Sequence, residues 1–288
     1  MLLEKKLAIM DLLKKLWDFD NAIKLGGQIA FGICTFLFTF MSDEFIGEIL
    51  KGGPINWLPL SGNIVLFKVI VLALVFILAY IYYHCRKSVL LDGKYYDIEI
   101  QYDDLFRIPK GRILIPFDEC YTTTVDDTPE GINPHSICGQ FLEKHPMLDV
   151  QELIRKTNLE PYEQPSKFQN QTRYESGRVI PYQNFFLMAF AKLDEKGLAR
   201  MSLEDYLQSL WILWKELDTY YGQEDVYIPI LGSGVTRFTD QPLNQQELLD
   251  IIIESYKLTP YKIKKPNKLH IVCRKLDGFS LNKIGHSF

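Results

Sequence analysis

The sequence predicts an α/β sandwich on a mostly parallel or mixed sheet, preceded by a hairpin of two membrane-spanning helices. Three observations predict it. Two long apolar runs, Leu25 to Ser42 and Ile64 to Cys85, carry between them the single charge of Lys68. From about Val89 onward, short runs of alternating or continuous apolar residues are interleaved with segments of helical periodicity. Late in the chain a β-rich stretch, Val226 to Leu231, stops abruptly at Gly232, Ser233 and Gly234, ahead of a strongly periodic helix from Gln245 to Tyr256.

Composition narrows the function classes. The chain has 288 residues, enough for one or two domains, and a net charge of −4. No Lys/Arg-rich block recurs with aromatics between its members, so no nucleic-acid groove is expected. Cys34, Cys85, Cys120, Cys138 and Cys273 are odd in number and scattered. With no Cys-x-x-Cys and no His-x-x-x-His spacing, neither a disulfide framework nor a metal site is expected, and the thiols read as reduced.

Residues 1–23 place Leu3, Leu7, Met10, Leu13 and Trp17 at roughly helical spacing with lysines between them. This is an amphipathic helix, either packed on the soluble part or lying in a membrane interface. Glu4, Asp11, Asp18 and Asp20 interrupt the apolar core a signal peptide needs, so the segment is expected to stay on the mature protein. Residues 24–88 form the hairpin. Its first run rises roughly 27 Å as a helix, close to the hydrocarbon thickness of a bilayer. In the second, Lys68 stands near one end, where its stem carries the ammonium to the interface, and Tyr80, Tyr82 and Tyr83 stand at the other. The alternative for each run is a buried core helix.

Gly52, Gly53, Pro54, Pro59 and Gly62 suit a short turn between the runs. Lysines before the first run, with Arg86 and Lys87 after the second, outweigh Lys51 of the connector, which is set against Asp43, Glu44 and Glu48. Both termini are therefore expected in the cytoplasm, with two spans in the inner membrane. Gly26, Gly27 and Gly32 are small enough to let helices approach closely.

Residues 89–288 form the cytosolic domain. Tyr95 to Tyr102, Arg112 to Pro116, Phe185 to Phe190 within Val179 to Leu193, and Leu269 to Cys273 read as strands. Pro134 to Glu143, Val150 to Thr157 and Ser202 to Tyr220 read as helices, with Pro134 near a first-turn position and Ser202 and Asp205 as a capping pair. Glu160 to Gln171 reads as a loop. Two glycines flanking a serine let backbone N–H groups turn together toward a phosphate with no Cβ in the way; the plain alternative is an ordinary strand-to-helix turn.

The segment Leu231-Gly232-Ser233-Gly234-Val235-Thr236-Arg237-Phe238 after Ile-Pro-Ile resembles the second ligand loop of macro domains, the ADP-ribose-binding modules. Asp104 stands ahead of the strand Arg112 to Pro116 where macro domains place an adenine-reading aspartate. Pro116-Phe117-Asp118-Glu119 takes the place of their first loop, and Ser136-Ile137-Cys138-Gly139-Gln140-Phe141 opens the next helix. With a membrane hairpin ahead of it, the whole chain resembles the membrane-anchored macro-domain effectors of bacterial Thoeris anti-phage defence systems.

The resemblance implies a three-layer α/β/α sandwich with a mixed sheet and a ligand rather than a cofactor. A TIR-domain partner makes an ADP-ribose-derived messenger from NAD, in this variety a histidine-ADP-ribose conjugate; the macro domain binds it, the protein oligomerises, and the membrane is disrupted. It implies ligand-binding roles for Asp104, Phe117, Asp118, Ser136, Ile137, Gly139, Leu231, Gly232, Ser233, Gly234, Val235, Thr236, Arg237 and Phe238, and no catalytic residue. N–H groups around Gly232 to Thr236 and Ser136 to Gly139 would face the pyrophosphate, Arg237 would add a charge-assisted contact, and Asp104 would accept from the adenine amino group. Asp103 is a rival for that last role, and a turn cap is the alternative. Phe238 would stack on adenine or belong to the core, and Phe117 and Asp118 would face the distal ribose. The first loop lacks the asparagine and triple glycine that hydrolytic macro domains use, so binding is expected rather than turnover. The competing readings are a membrane-tethered ADP-ribose hydrolase, with Asp118 or Glu119 activating water, and an anchor for ADP-ribosylated partners.

Overall fold

The computed structural model describes residues 17–50, 60–126, 128, 131–276 and 278–285. Residues 1–16 of the expected amphipathic helix and the connector residues 51–59 lie outside them. The described residues fall into two compact units. One runs to Lys87 and includes Leu276–Lys283, and the other comprises Ser88–Lys275 and the residues after Lys283. The segment 276–283, expected to belong to the cytosolic domain, is thus part of the first unit.

In the first unit, α1 (Trp17–Phe40) and α3 (Leu60–His84) pack together, with a short α2 (Asp43–Ile49) between them in sequence. α1 runs unbroken across Ile23 and Lys24, where the sequence suggested two separate helices. Gly62, expected in the connector, lies in α3. The stretches Ala22–Phe40 and Ser61–His84, with mean hydropathies of 1.5 and 3.0, are long and apolar enough to cross a membrane. Only 17% of the residues of the first and none of the second are buried, although the two helices pack on each other. Phe31, Phe36, Phe40 and Leu78 are exposed, unlike residues of a buried core helix. Gly26 and Gly32 differ in role. A Cβ on Gly26 would meet the backbone nitrogen of Tyr80 at 3.2 Å, so Gly26 lets α1 and α3 approach within the hairpin, whereas one on Gly32 would meet nothing within 4 Å.

The second unit is built on a nine-stranded mixed sheet. Its strands are β1 (Ser88–Asp92), β2 (Asp97–Tyr102), β3 (Arg112–Asp118), β4 (Val179–Tyr182), β5 (Phe185–Leu193), β6 (Ala199–Met201), β7 (Val226–Pro229), β8 (Arg237–Phe238) and β9 (Lys268–Cys273), in the order β1-β2-β9-β7-β3-β5-β6-β8. β4 forms an antiparallel hairpin with β5, β1 pairs antiparallel with β2, and β5 with β6; the remaining ladders, including the central run β2-β9-β7-β3-β5, are parallel. A parallel sheet needs both faces covered, and β5 (Phe-Phe-Leu-Met-Ala-Phe-Ala-Lys-Leu), buried at all but Lys192, has the continuous apolar run that this demands.

The helices are α4 (Ile137–Lys144), α5 (Val150–Thr157), α6 (Leu203–Tyr220) and α7 (Gln245–Leu258). Phe141, Leu142, Val150 and Ile154 from α4 and α5 bury against Ile113, Ile115 and Phe117 of β3. α6 and α7 pack on each other through Trp214 and Tyr256, whose ring centroids are 4.9 Å apart, and the indole N–H of Trp214 donates to Ser255 Oγ at 3.1 Å. Each start is capped by sequence-local chemistry: Ser136 for α4, Asp149 for α5, Ser202 for α6, and an Asn244/Glu247 capping box for α7. Pro134 is not in the first turn of α4. It lies in the turn before the cap.

Candidate nucleotide site

β3 and β7 are neighbours, yet their ladder covers only Arg112 with Val226 and Ile113 with Tyr227, although β3 continues to Asp118 and β7 to Pro229. Each strand carries a proline in the part where the ladder stops, Pro116 and Pro229, and a proline offers no N–H to a neighbour. Among the long parallel strands, β3 is followed by β5 on one side of this pair and β7 by β9 on the other, the chain passing from β7 first to the two-residue β8 at the β5–β6 edge. That is a topological switch point, and the crevice beyond the carboxyl ends of such strands is where open α/β sheets take ligands. The segments that the sequence singled out leave from this same carboxyl edge: Asp103 and Asp104 after β2, Glu119 after β3, and the glycine loop after β7.

The glycine loop is held from behind. Gly232 has φ +80°, which favours glycine, and a Cβ there would crowd the Phe238 ring at 3.1 Å. The Tyr206 hydroxyl donates to the Leu231 carbonyl at 3.0 Å, and both residues are buried. Phe238 packs edge-on against Tyr206, centroids 5.4 Å apart, so its ring supports the loop. Ser233 is exposed, its N–H and hydroxyl both donating back to the Ile230 carbonyl at 3.3 and 2.7 Å. Gly234 differs from Gly232. Its φ is ordinary, a Cβ would meet nothing within 4 Å, and it stands exposed beside Val235. Thr236 is half-buried, and exposed Arg237 pairs in register with Arg200 of β6. The expected strand-loop-helix is therefore strand, loop, two-residue β8 and then α7.

At the start of α4, Ser136 Oγ accepts from the Gly139 N–H at 2.9 Å and donates to the Asn133 carbonyl at 2.7 Å. The Gly139 N–H is thus committed to the cap, and a Cβ on Gly139 would lie 2.3 Å from the Asn133 carbonyl oxygen, so this glycine serves the turn before the helix. By helix geometry the first-turn N–H groups of Ile137 and Cys138 have no carbonyl within the helix to bond.

Asp118 is buried, its Oδ1 accepting from the N–H groups of Cys120 and Thr122 at 2.8 and 3.1 Å. Burial raises its carboxyl above the usual aspartate range. Phe117 was expected to face the distal ribose. Its ring lies in the core, 5.7 Å from Tyr121 and 6.2 Å from Phe141, because β3 is covered on both faces. Asp104 Oδ1 accepts from the Phe106 N–H at 3.0 Å, capping a single 3-10 turn, Leu105–Arg107, and Asp103 Oδ1 accepts from the Asp104 N–H at 2.7 Å. Both aspartates remain exposed.

Sequence reasoning missed the grip on Glu119. Its buried carboxylate accepts from Ser166 Oγ at 2.6 Å and the Leu193 N–H at 3.1 Å, and Arg173 Nη1 stands 3.2 Å away. Ser166 and Arg173 come from the long loop before β4, whose composition signals only a loop. A polar cleft lined by Arg173, Tyr174, Lys192, Asp205 and Gln208 opens above Glu119, closed in part by the Lys192–Asp205 ion pair at 2.7 Å. Burial pushes the Cys120 thiol up to about 12 and Cys138 well above its usual value, so neither is a thiolate at neutral pH.

The family model for the macro domain of Thoeris protein ThsA matches residues 98–274. The chain belongs to this family. Thoeris protein ThsA of Bacillus amyloliquefaciens (strain Y2) is 31% identical over 195 residues, 65% of each chain, so the match spans just under two thirds of that relative's length. Among solved structures, a point mutant of the Oceanobacillus iheyensis macrodomain superposes with a TM-score of 0.42 at 12% identity, covering 66% of this chain and 90% of that one. The macrodomain of Thermus aquaticus DarG gives 0.38 at 12%, covering 62% and 98%. As a ThsA macro-domain homologue, the chain carries the macro-domain α/β fold with a mixed sheet, and its match begins inside β2 and ends just past β9.

Proposed function

We propose that the protein is an anti-phage defence effector whose macro unit binds an ADP-ribose-derived signal made by a TIR-domain partner, such as histidine-ADP-ribose. On binding it oligomerises, and the hairpin disrupts the inner membrane, which it crosses twice with both termini cytoplasmic. One observation carries the reading: a ThsA-type macro domain shares its chain with two helices long and apolar enough to cross a membrane, few of whose residues are buried. The pyrophosphate of such a ligand needs several converging donors rather than a catalytic pair. By chain order the exposed loop at Gly234 leaves the carboxyl end of β7 and α4 follows β3, the two strands of the switch point, and Arg237 adds charge at the loop's far end. Signal-driven assembly obeys linkage: moving from about 1% to 99% assembled needs roughly 5.5 kcal/mol of preference for the assembled form.

Binding is favoured over hydrolysis by the state of the two candidate bases. Glu119 is consumed by Ser166, Arg173 and Leu193, and one oxygen of Asp118 by two backbone N–H groups. The test reconstitutes the full chain in vesicles holding a self-quenched dye and adds ADP-ribose or its histidine conjugate, with particle mass followed in parallel. Leakage with a gain in mass is expected. A protein that neither releases dye nor gains mass with either compound is not this effector, and sustained release of ADP-ribose from a modified protein would make it a hydrolase.

A further inference from the structure

The apolar stretch of α3, Ser61–His84, rises roughly 36 Å, more than enough for the ~30 Å of bilayer hydrocarbon. Lys68 interrupts it about a third of the way along. Its Nζ donates to Asp43 Oδ1 at 2.6 Å and lies 5.6 Å from the centre of the Phe38 ring, so Lys68 of α3 is level with Phe38 near the end of α1. Asp43 opens α2, with Ser42 Oγ accepting from the Phe45 N–H at 3.2 Å. α2 buries Ile46 and Gly47 and leaves Phe45 and Ile49 exposed, four residues apart on one face. An ion pair with Asp43 largely exposed belongs among headgroups and water, since hydrocarbon solvates neither charge. A short helix with outward Phe and Ile at that level lies in the interface, and Phe36 and Phe40 near the end of α1 are exposed as well.

The other boundary is set by the contact of Gly26 with the Tyr80 backbone, which in an antiparallel pair brings Lys24 level with Tyr82; both are exposed. From Lys24 to Phe38 on α1, and from Lys68 to Tyr82 on α3, the rise is roughly 21 Å. We infer that the Lys68–Asp43 pair and α2 form an interfacial collar, and that the lipid surface this hairpin fits is a bilayer with a hydrocarbon core near 21 Å, thinner than ordinary membranes. In a bilayer of usual thickness the collar is drawn inward, and the mismatch is relieved by local thinning or by hairpins clustering. This rests on the membrane reading above and adds to it a thickness and a residue that sets it.

The experiment reconstitutes the full chain, without nucleotide, in phosphatidylcholine vesicles with acyl chains from 14:1 to 22:1. Energy transfer between copies labelled at exposed Cys85 reads self-association. Transfer is expected to be lowest at 14:1 and to rise at least threefold by 22:1. Lys68→Leu, which extends the apolar belt back toward Ile64, is expected to shift that rise to chains two to four carbons longer; Lys68→Met serves if the leucine variant fails to insert. Superimposable curves for wild type and variant, or a wild-type minimum at 18:1 to 20:1, overturn the collar. Failure to float with vesicles of any chain length overturns the membrane reading itself.

Discussion

The hydroxyl of Tyr206 reaches from the first turns of α6 to donate to the carbonyl of Leu231, the last residue before the glycine loop, at 3.0 Å. The same ring supports Phe238 at the loop's far end. One buried side chain thus fixes both ends of the segment proposed to meet a pyrophosphate. Tyr206→Phe keeps the ring and leaves a buried carbonyl without its donor, a loss of about 1 to 2 kcal/mol. A lower denaturation midpoint is expected, with ADP-ribose affinity reduced at least tenfold because the loop is no longer preorganised. Urea titration and calorimetry on the full chain read the two effects.

Gly232 and Gly234 separate structural need from ligand need. Alanine at Gly232 must adopt a positive φ, costing about 1 to 2 kcal/mol, and also displaces the Phe238 ring. Alanine at Gly234 meets open space, so the melting temperature should stay within about a degree of wild type. If the loop approaches a diphosphate closely, Gly234→Ala nevertheless weakens ADP-ribose binding. Equal binding by wild type and Gly234→Ala would remove this residue from the site.

Much of this fold is legible in the sequence, because the information is local. Val150 to Thr157 and Ser202 to Tyr220 carry their own periodicity and caps, and the run at Phe185 has the continuous apolarity of a strand covered on both faces. β6 and β8, three and two residues long, are too short for any periodicity to register, and they are defined by backbone pairing across the fold, Arg200 with Arg237 and Met201 with Phe238. The β4–β5 hairpin turns at Gln183, φ +52°, where no glycine marks it. At the site, Gly232 is readable as a left-handed turn. The core placement of Phe117 is not, since a strand buried on both faces has no polar alternation to show where each side chain points. Nor are the roles of Tyr206, Ser166 and Arg173, which arise from contacts between residues distant in sequence.

Glu119 gives a direct trial of the hydrolase reading. Removing one partner from a buried, hydrogen-bonded ion pair costs about 3 to 5 kcal/mol, and Glu119→Ala also strips an acceptor from Ser166 and from the Leu193 N–H. The expected outcome is a large fall in stability by denaturant titration, with the nucleotide affinity of the remaining folded fraction close to wild type. A stable Glu119→Ala protein that had lost a measurable hydrolytic turnover would instead place this carboxylate in catalysis.

Asp118 predicts a pH dependence whose sign follows from burial. Its carboxyl is raised in the folded state above the ordinary value of 3.8, chiefly by desolvation. The folded protein therefore holds that proton more tightly than the unfolded chain. The stability this contributes is fully present below 3.8, declines as pH rises through the folded value, and is absent above it. Asn at this position presents the same oxygen to the N–H groups of Cys120 and Thr122 without a charge to desolvate. Urea midpoints for wild type and Asp118→Asn, taken from pH 3.5 to 7, should therefore diverge in the variant's favour as pH rises and run parallel once wild-type Asp118 is ionised. A difference that stays constant across the range would mean that Asp118 titrates alike in the folded and unfolded chains, and that its two N–H donors offset the cost of burial in full.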